Sequence, residues 1–65
     1  MTFKIGDKVK FIKDFSPYYI KTSKEDMNKF DWYVFDMPDS DYLILNNPIT
    51  SAIIRVSVND VALDD

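Results

Sequence analysis

A chain of 65 residues with neither cysteine nor histidine has no covalent or metal staple available to it. Domains near this size bury only about 60% of the surface their unfolded chains expose, and many rely on disulfides or metals to make up the deficit. Without Cys there is no disulfide, and without Cys or His the usual thiolate and imidazole zinc sites are excluded. Apolar bulk must therefore hold the fold. The chain carries it as large rings: Phe3, Phe11, Phe15, Tyr18, Tyr19, Phe30, Trp32, Tyr33, Phe35 and Tyr42, each of which brings much buried area per residue. The length suits one domain over residues 1–65. Charged residues interrupt every apolar stretch near the start, so neither a leader peptide nor a spanning helix is expected, and the absence of cysteine fits a cytoplasmic setting.

Hydrophobic periodicity points to strands. Lys8 and Lys10 alternate with Val9 and Phe11 after a Gly6-Asp7 turn. Residues 14–31 read as a long excursion: Ser16-Pro17 opens a turn, Tyr18-Tyr19-Ile20 is a short apolar patch, and Thr22-Ser23-Lys24-Glu25 has the form of a capping box. That box predicts a short helix over about 23–30, pinned by Met27 and Phe30 at i, i+3 spacing. Trp32 to Met37, Tyr42 to Leu45 and residues 52–58 are three β-rich runs. They are separated by Pro38-Asp39-Ser40-Asp41 and Asn46-Asn47-Pro48. Asn59-Asp60 then turns the chain into a short closing element, Val61-Ala62-Leu63. With a single glycine in the chain, the turns fall to Pro, Asn, Asp and Ser.

The sum is a mostly β chain: one strand, a long loop with a short helix, three hairpin-linked strands and a short last strand. This layout resembles a Src-homology-3-like small β-barrel of the bacterial and phage type. The resemblance rests on the opening Phe3-Lys4-Ile5-Gly6-Asp7-Lys8-Val9-Lys10-Phe11 and the ending Ile54-Arg55-Val56-Ser57-Val58-Asn59-Asp60-Val61-Ala62-Leu63. It implies a five-stranded antiparallel barrel with a 3-10 turn before the last strand. The alternation predicts a core of Val9, Phe11, Ile20, Phe30, Tyr33, Phe35, Leu43, Leu45, Ile54, Val56 and Leu63. The fold hosts peptide readers, methyl-lysine readers and nucleic-acid modules, so it does not by itself select a function. The A-L-Y-D-Y motif of the signalling peptide readers is absent; Phe15-Ser16-Pro17-Tyr18-Tyr19 stands in the long loop instead.

Charge divides the chain. Net charge is −3, but residues 1–30 hold seven lysines against four acids, and residues 31–65 hold Arg55 alone against seven aspartates. An acidic chain repels phosphate at long range, which disfavours generic nucleic acid. Lys4, Lys8, Lys10 and Lys13 leave a nucleic-acid-associated barrel as the alternative reading; a solvated strand face and edge protection explain the same lysines. Asp36, Asp39 and Asp41 could hold calcium, but the spacing and the missing glycine do not fit an EF-hand loop, and acids beside Pro38 are ordinary turn residues. Catalysis lacks its usual base and nucleophile near neutral pH, and no glycine-rich phosphate loop is present. No enzyme activity, cofactor or metal is expected.

The rings remain. Both faces of strands 32–37 and 42–45 are apolar, either because barrel strands serve two sheets or because a patch meets a partner or a second copy. The chain is thus read as a non-catalytic protein-interaction module, in the manner of a phage or mobile-element accessory or inhibitor protein. Its expected contact surface is Tyr18, Tyr19, Trp32 and Tyr42, with Glu25 or Asp31 on the rim. The competing reading of these rings is that they are core. The partner would be another protein or peptide, or a second copy in a homodimer, and not a membrane.

Overall fold

The computed structural model describes residues 2–64. Strand β1 (Lys8–Phe11) leads into the long loop, which carries the one-turn helix α1 (Lys24–Met27). Strands β2 (Trp32–Asp36), β3 (Tyr42–Asn46) and β4 (Ile53–Ser57) follow, then a 3-10 turn (Val58–Asp60) and strand β5 (Val61–Leu63). All pairings are antiparallel, in one five-stranded sheet of order β4-β3-β2-β1-β5. The mostly β, antiparallel class read from sequence is the class observed. The two ends of the sheet, β4 and β5, share no ladder among the described residues, so the sheet is not closed.

Register explains the core. Val9 lies opposite Trp32 on one side and Leu63 on the other, and Phe11 opposite Val61. Val34 faces Leu45, and Leu43 faces Val56. These residues share one face of the sheet, since side chains alternate along a strand. Phe3 and Met27 cover that face, and the resulting cluster is buried, with Phe15, Ile54 and Leu63 packed at its margin. The other face carries Lys8, Lys10, Tyr33, Ile44, Tyr42 and Arg55. The turn before β1 is docked by its backbone: Gly6, at φ 95, donates to the Val34 carbonyl (2.8 Å), and Val34 donates to the Asp7 carbonyl (2.9 Å).

Five of the expected core residues, Val9, Phe11, Leu43, Leu45 and Val56, are buried. Three, Ile20, Phe30 and Phe35, are exposed instead. Ile20 sits in the turn whose amide returns to the Pro17 carbonyl (3.0 Å), out on the loop. Phe30 lays one edge on Trp32 at 6.4 Å between ring centroids and shows the rest to solvent. Phe35 is displaced by a β-bulge: Val34 pairs with Leu45 but Asp36 pairs with Ile44, so Phe35 is the unpaired extra residue and is 54% exposed. Tyr33, Ile54 and Leu63 are half-buried. In β2 the buried phase is Trp32 and Val34, opposite to the phase expected from sequence.

The helix is shorter than the 23–30 expected, and its cap is Ser23 rather than Thr22. Ser23 is extended (φ −63, ψ 152) and its hydroxyl accepts the Asp26 N–H at 3.2 Å. Thr22 instead exchanges two backbone bonds with Phe15, each 2.8 Å, closing the base of the loop. The far end of α1 is tied down twice. Asn28 accepts from the Phe11 N–H through Oδ1 (2.8 Å) and donates to the Phe11 carbonyl through Nδ2 (2.9 Å), standing in for a neighbouring strand. The Trp32 indole N–H donates to the Met27 carbonyl at 2.9 Å. No helix among the described residues is long and apolar enough to cross a membrane.

Candidate functional site

The long loop leaves β1 at Phe11, and Phe15 turns back to set its ring edge-on against Phe11, 5.8 Å between centroids. That contact and the Phe15–Thr22 bridge hold the stretch Ser16-Pro17-Tyr18 beside the outer edge of β4. Between them runs an open groove of about 630 Å³ lined by Phe15, Pro17, Tyr18, Tyr42, Ile54 and Arg55. A smaller lobe of about 200 Å³ continues it toward Ser57 and Asp60 at the 3-10 turn. The volume falls within the span of small-ligand and peptide sites, about 300–1,000 Å³, but the groove is open, a trough rather than an enclosed chamber.

Two features distinguish its walls. Tyr18 is fully exposed, at 101% of its reference surface, and holds a left-handed backbone (φ 54) that a tyrosine adopts only at some cost. On the opposite wall the Arg55 guanidinium lies over the Tyr42 ring, 4.1 Å from its centroid. This is a cation–π contact of the kind that orients an arginine without neutralising it. Arg55 has no ion pair among the described residues.

The residues expected to form a contact surface are thus partly brought together. Tyr18 and Tyr42 face the same groove. Tyr19 is exposed but is not among the groove's lining residues. Trp32 is not on that surface: it is 5% exposed, wedged edge-on against Phe11 at 6.2 Å and committed through its N–H to Met27. A ring whose one polar atom finds an internal acceptor is released to be core. Glu25 is exposed on the first turn of α1. Asp31 takes part in an ion pair with Lys8 (3.5 Å). Neither lines the groove. Phe15, Pro17, Ile54 and Arg55 were not foreseen as site residues. Arg55 carried a signal, as the lone cation of residues 31–65.

The lysines are partly spoken for. Lys8 also reaches Asp64 (3.7 Å), and its pKa is raised first by the charge of Asp31 and then by that of Asp64. Lys21 pairs with Asp14 (3.6 Å) and Lys29 with Asp26 (3.0 Å). The Asp26 carboxyl is held below its usual range by the hydrogen bond and charge of Lys29, with a smaller part from Ser23. Asp36, Asp39 and Asp41 do not gather into a metal-binding cluster: no such group of three occurs among the described residues. Asp39 Oδ1 accepts from the Asp41 and Tyr42 amides (2.8 and 3.1 Å), which shapes the β2–β3 turn, and Asp36 Oδ1 accepts from the Met37 amide (2.8 Å). The sequence matches no protein-family model, and no curated protein and no solved structure matches the chain.

Proposed function

We propose that this chain is a small non-catalytic protein-interaction module on a Src-homology-3-like barrel frame, and that a protein partner docks in the groove between the long loop and β4. The observation that carries this reading is the pair Tyr18 and Tyr42 on facing walls of that groove, one fully exposed and the other bearing an unneutralised Arg55. Tyr and Arg are the residues that most often anchor interfaces. The barrel frame is supported by the element order, the single long loop after β1 and the 3-10 turn before the last strand. Of the lysines on which a nucleic-acid role would rest, Lys8 already meets Asp31 and Asp64, and the net charge of −3 disfavours phosphate.

The test uses Tyr18→Ala and Tyr42→Ala. Tagged wild-type protein and both variants are presented to lysate of the source cells, retained proteins are identified by mass spectrometry, and thermal melts are recorded alongside. The reading requires a protein retained by the wild type and lost from the variants with little change in melting temperature. Identical retention by all three proteins overturns it.

A further inference from the structure

The outer edge of β4 pairs with no other strand among the described residues, and its geometry says what fits it. The β3–β4 ladder is bracketed by bonds from the Val58 amide to the Asp41 carbonyl (3.0 Å) and from the Asn47 amide to the Ala52 carbonyl (2.9 Å). Antiparallel ladders alternate hydrogen-bonded and non-bonded pairs. With Leu43 opposite Val56 and Leu45 opposite Ile54, those two pairs carry the bonds. Ile53, Arg55 and Ser57 therefore turn their N–H and C=O groups away from β3. Neither the groups of Ile53 and Arg55 nor the Ser57 N–H meets another backbone group among the described residues, while the Ser57 carbonyl serves the 3-10 turn that it caps. Edge strands are usually blunted by proline, lysine, brevity or a covering element. This one has five residues, no proline and, on the side it faces, the open groove.

We infer that the groove takes an extended peptide segment, added to β4 as a sixth strand, with an acidic side chain opposite Arg55. The inference rests on the proposed interaction role and specifies the partner's form. A strand added about 4.8 Å from β4 lies between β4 and the loop wall of Phe15, Pro17 and Tyr18. Its side chains alternate: one set meets Ile54 and Phe15 and is apolar, the other meets Tyr42 and Arg55. The Arg55 guanidinium, 4.1 Å from the centroid of the Tyr42 ring, has no carboxylate partner among the described residues and can offer its N–H fork to one. Asp60, at the end of the groove's smaller lobe, disfavours a second acid there. A second copy of this chain is the poorer occupant, because the pairing that overlaps all of β4 with itself sets Arg55 against Arg55.

The probe is a displayed library of random heptapeptides selected on the whole protein. Ser57→Pro removes one outward N–H at a residue whose φ, −72, already suits proline. Ser57→Ala is its control, since both variants lose the Ser57 hydroxyl bond to the Asn59 amide (3.2 Å) and only proline loses the donor. Enriched peptides should alternate apolar residues with an acid, bind wild type and Ser57→Ala alike, and bind Ser57→Pro about tenfold more weakly or worse. Arg55→Gln should abolish the preference for the acid. Equal binding to Ser57→Pro and Ser57→Ala, or enrichment without an acid, overturns strand addition. So does a dimer in sedimentation that Ser57→Pro dissociates, which would make the occupant a second copy. If binding then still depends on Tyr42, the interaction role of the groove survives and only the strand geometry falls. No enrichment at all overturns the peptide inference, and the lysate experiment with Tyr18→Ala then decides the interaction role by itself.

Discussion

Replacing Trp32 by Phe should destabilise the protein by about 1.5–3 kcal/mol, while Tyr19→Ala, at a ring that is 94% exposed, should leave stability within about 0.5 kcal/mol. The first figure has two parts. The indole donates to the Met27 carbonyl at 2.9 Å, a bond worth about 0.5–1.5 kcal/mol net. Its loss belongs at the low end, because the same carbonyl also accepts from the Phe30 amide at 3.2 Å. The second part is the area lost when the larger ring of a 5%-exposed residue becomes a phenyl: about 1–2 kcal/mol. Trp32→Ala should cost about 3–5 kcal/mol. That is comparable with the whole stability of a domain this size, about 3–10 kcal/mol at roughly 0.05–0.15 kcal/mol per residue. The assay is urea unfolding followed by far-ultraviolet circular dichroism, because Trp32 is the only tryptophan and its removal abolishes the tryptophan fluorescence. A midpoint for Trp32→Phe within error of wild type, or a larger loss in Tyr19→Ala, would refute the placement of these two rings.

Asn28→Ala should cost about 2 kcal/mol by the same assay, because it leaves the Phe11 N–H and carbonyl without the partners that Asn28 provides; a loss below about 0.5 kcal/mol would mean that water replaces the amide. Tyr18→Gly should raise the melting temperature slightly, since glycine adopts φ 54 without the steric cost borne by tyrosine; a lowered melting temperature would show that the ring contributes more than the backbone costs. Because the folded-state pKa of Asp26 is depressed, its contribution is present above the unfolded value and is lost as pH falls through the folded one. Stability measured from pH 6 down to pH 3 should therefore fall less steeply in Asp26→Asn, and parallel curves would show the carboxylate to be unlinked to folding.

Much of the fold was legible because period-two alternation and turn residues mark strands directly. Lys8 to Phe11 and Tyr42 to Leu45 show this: their buried positions Val9, Phe11, Leu43 and Leu45 were readable before any register was known. β2 was not, because Trp32 and Val34 compete with Tyr33, Phe35 and Met37, and hydrophobicity does not separate two apolar phases. The choice is made by contacts distant in sequence, the Met27 carbonyl for Trp32 and Leu45 for Val34. The site was legible in its chemistry but not its membership. Tyr18 and Tyr42 stand out as rings with polar ends, yet that Pro17 faces Ile54 and Arg55 follows from how a loop of some twenty residues folds back. Asn28 was hidden for the same reason: an asparagine that completes a strand's backbone bonding looks like any other loop asparagine.

The bulge at Phe35 bears on how this chain can vary over evolutionary time. Upstream of it Val34 aligns with Leu45; downstream Asp36 aligns with Ile44, which brings Met37 level with Leu43 on the inner side, where both line a small depression beside Phe3. Loss of codon 35 would leave Val34 inward, Asp36 outward and Met37 inward on a regular ladder. Position 35 is thus a place where a descendant could shed one residue without turning a strand inside out. The same deletion at Tyr33 would change the facing of one side of β2 relative to the other. Length variation among any descendants of this sequence should accordingly collect at the bulge and spare Ile44 and Asn46, the residues on either side of Val34's partner Leu45, whose facing it leaves untouched.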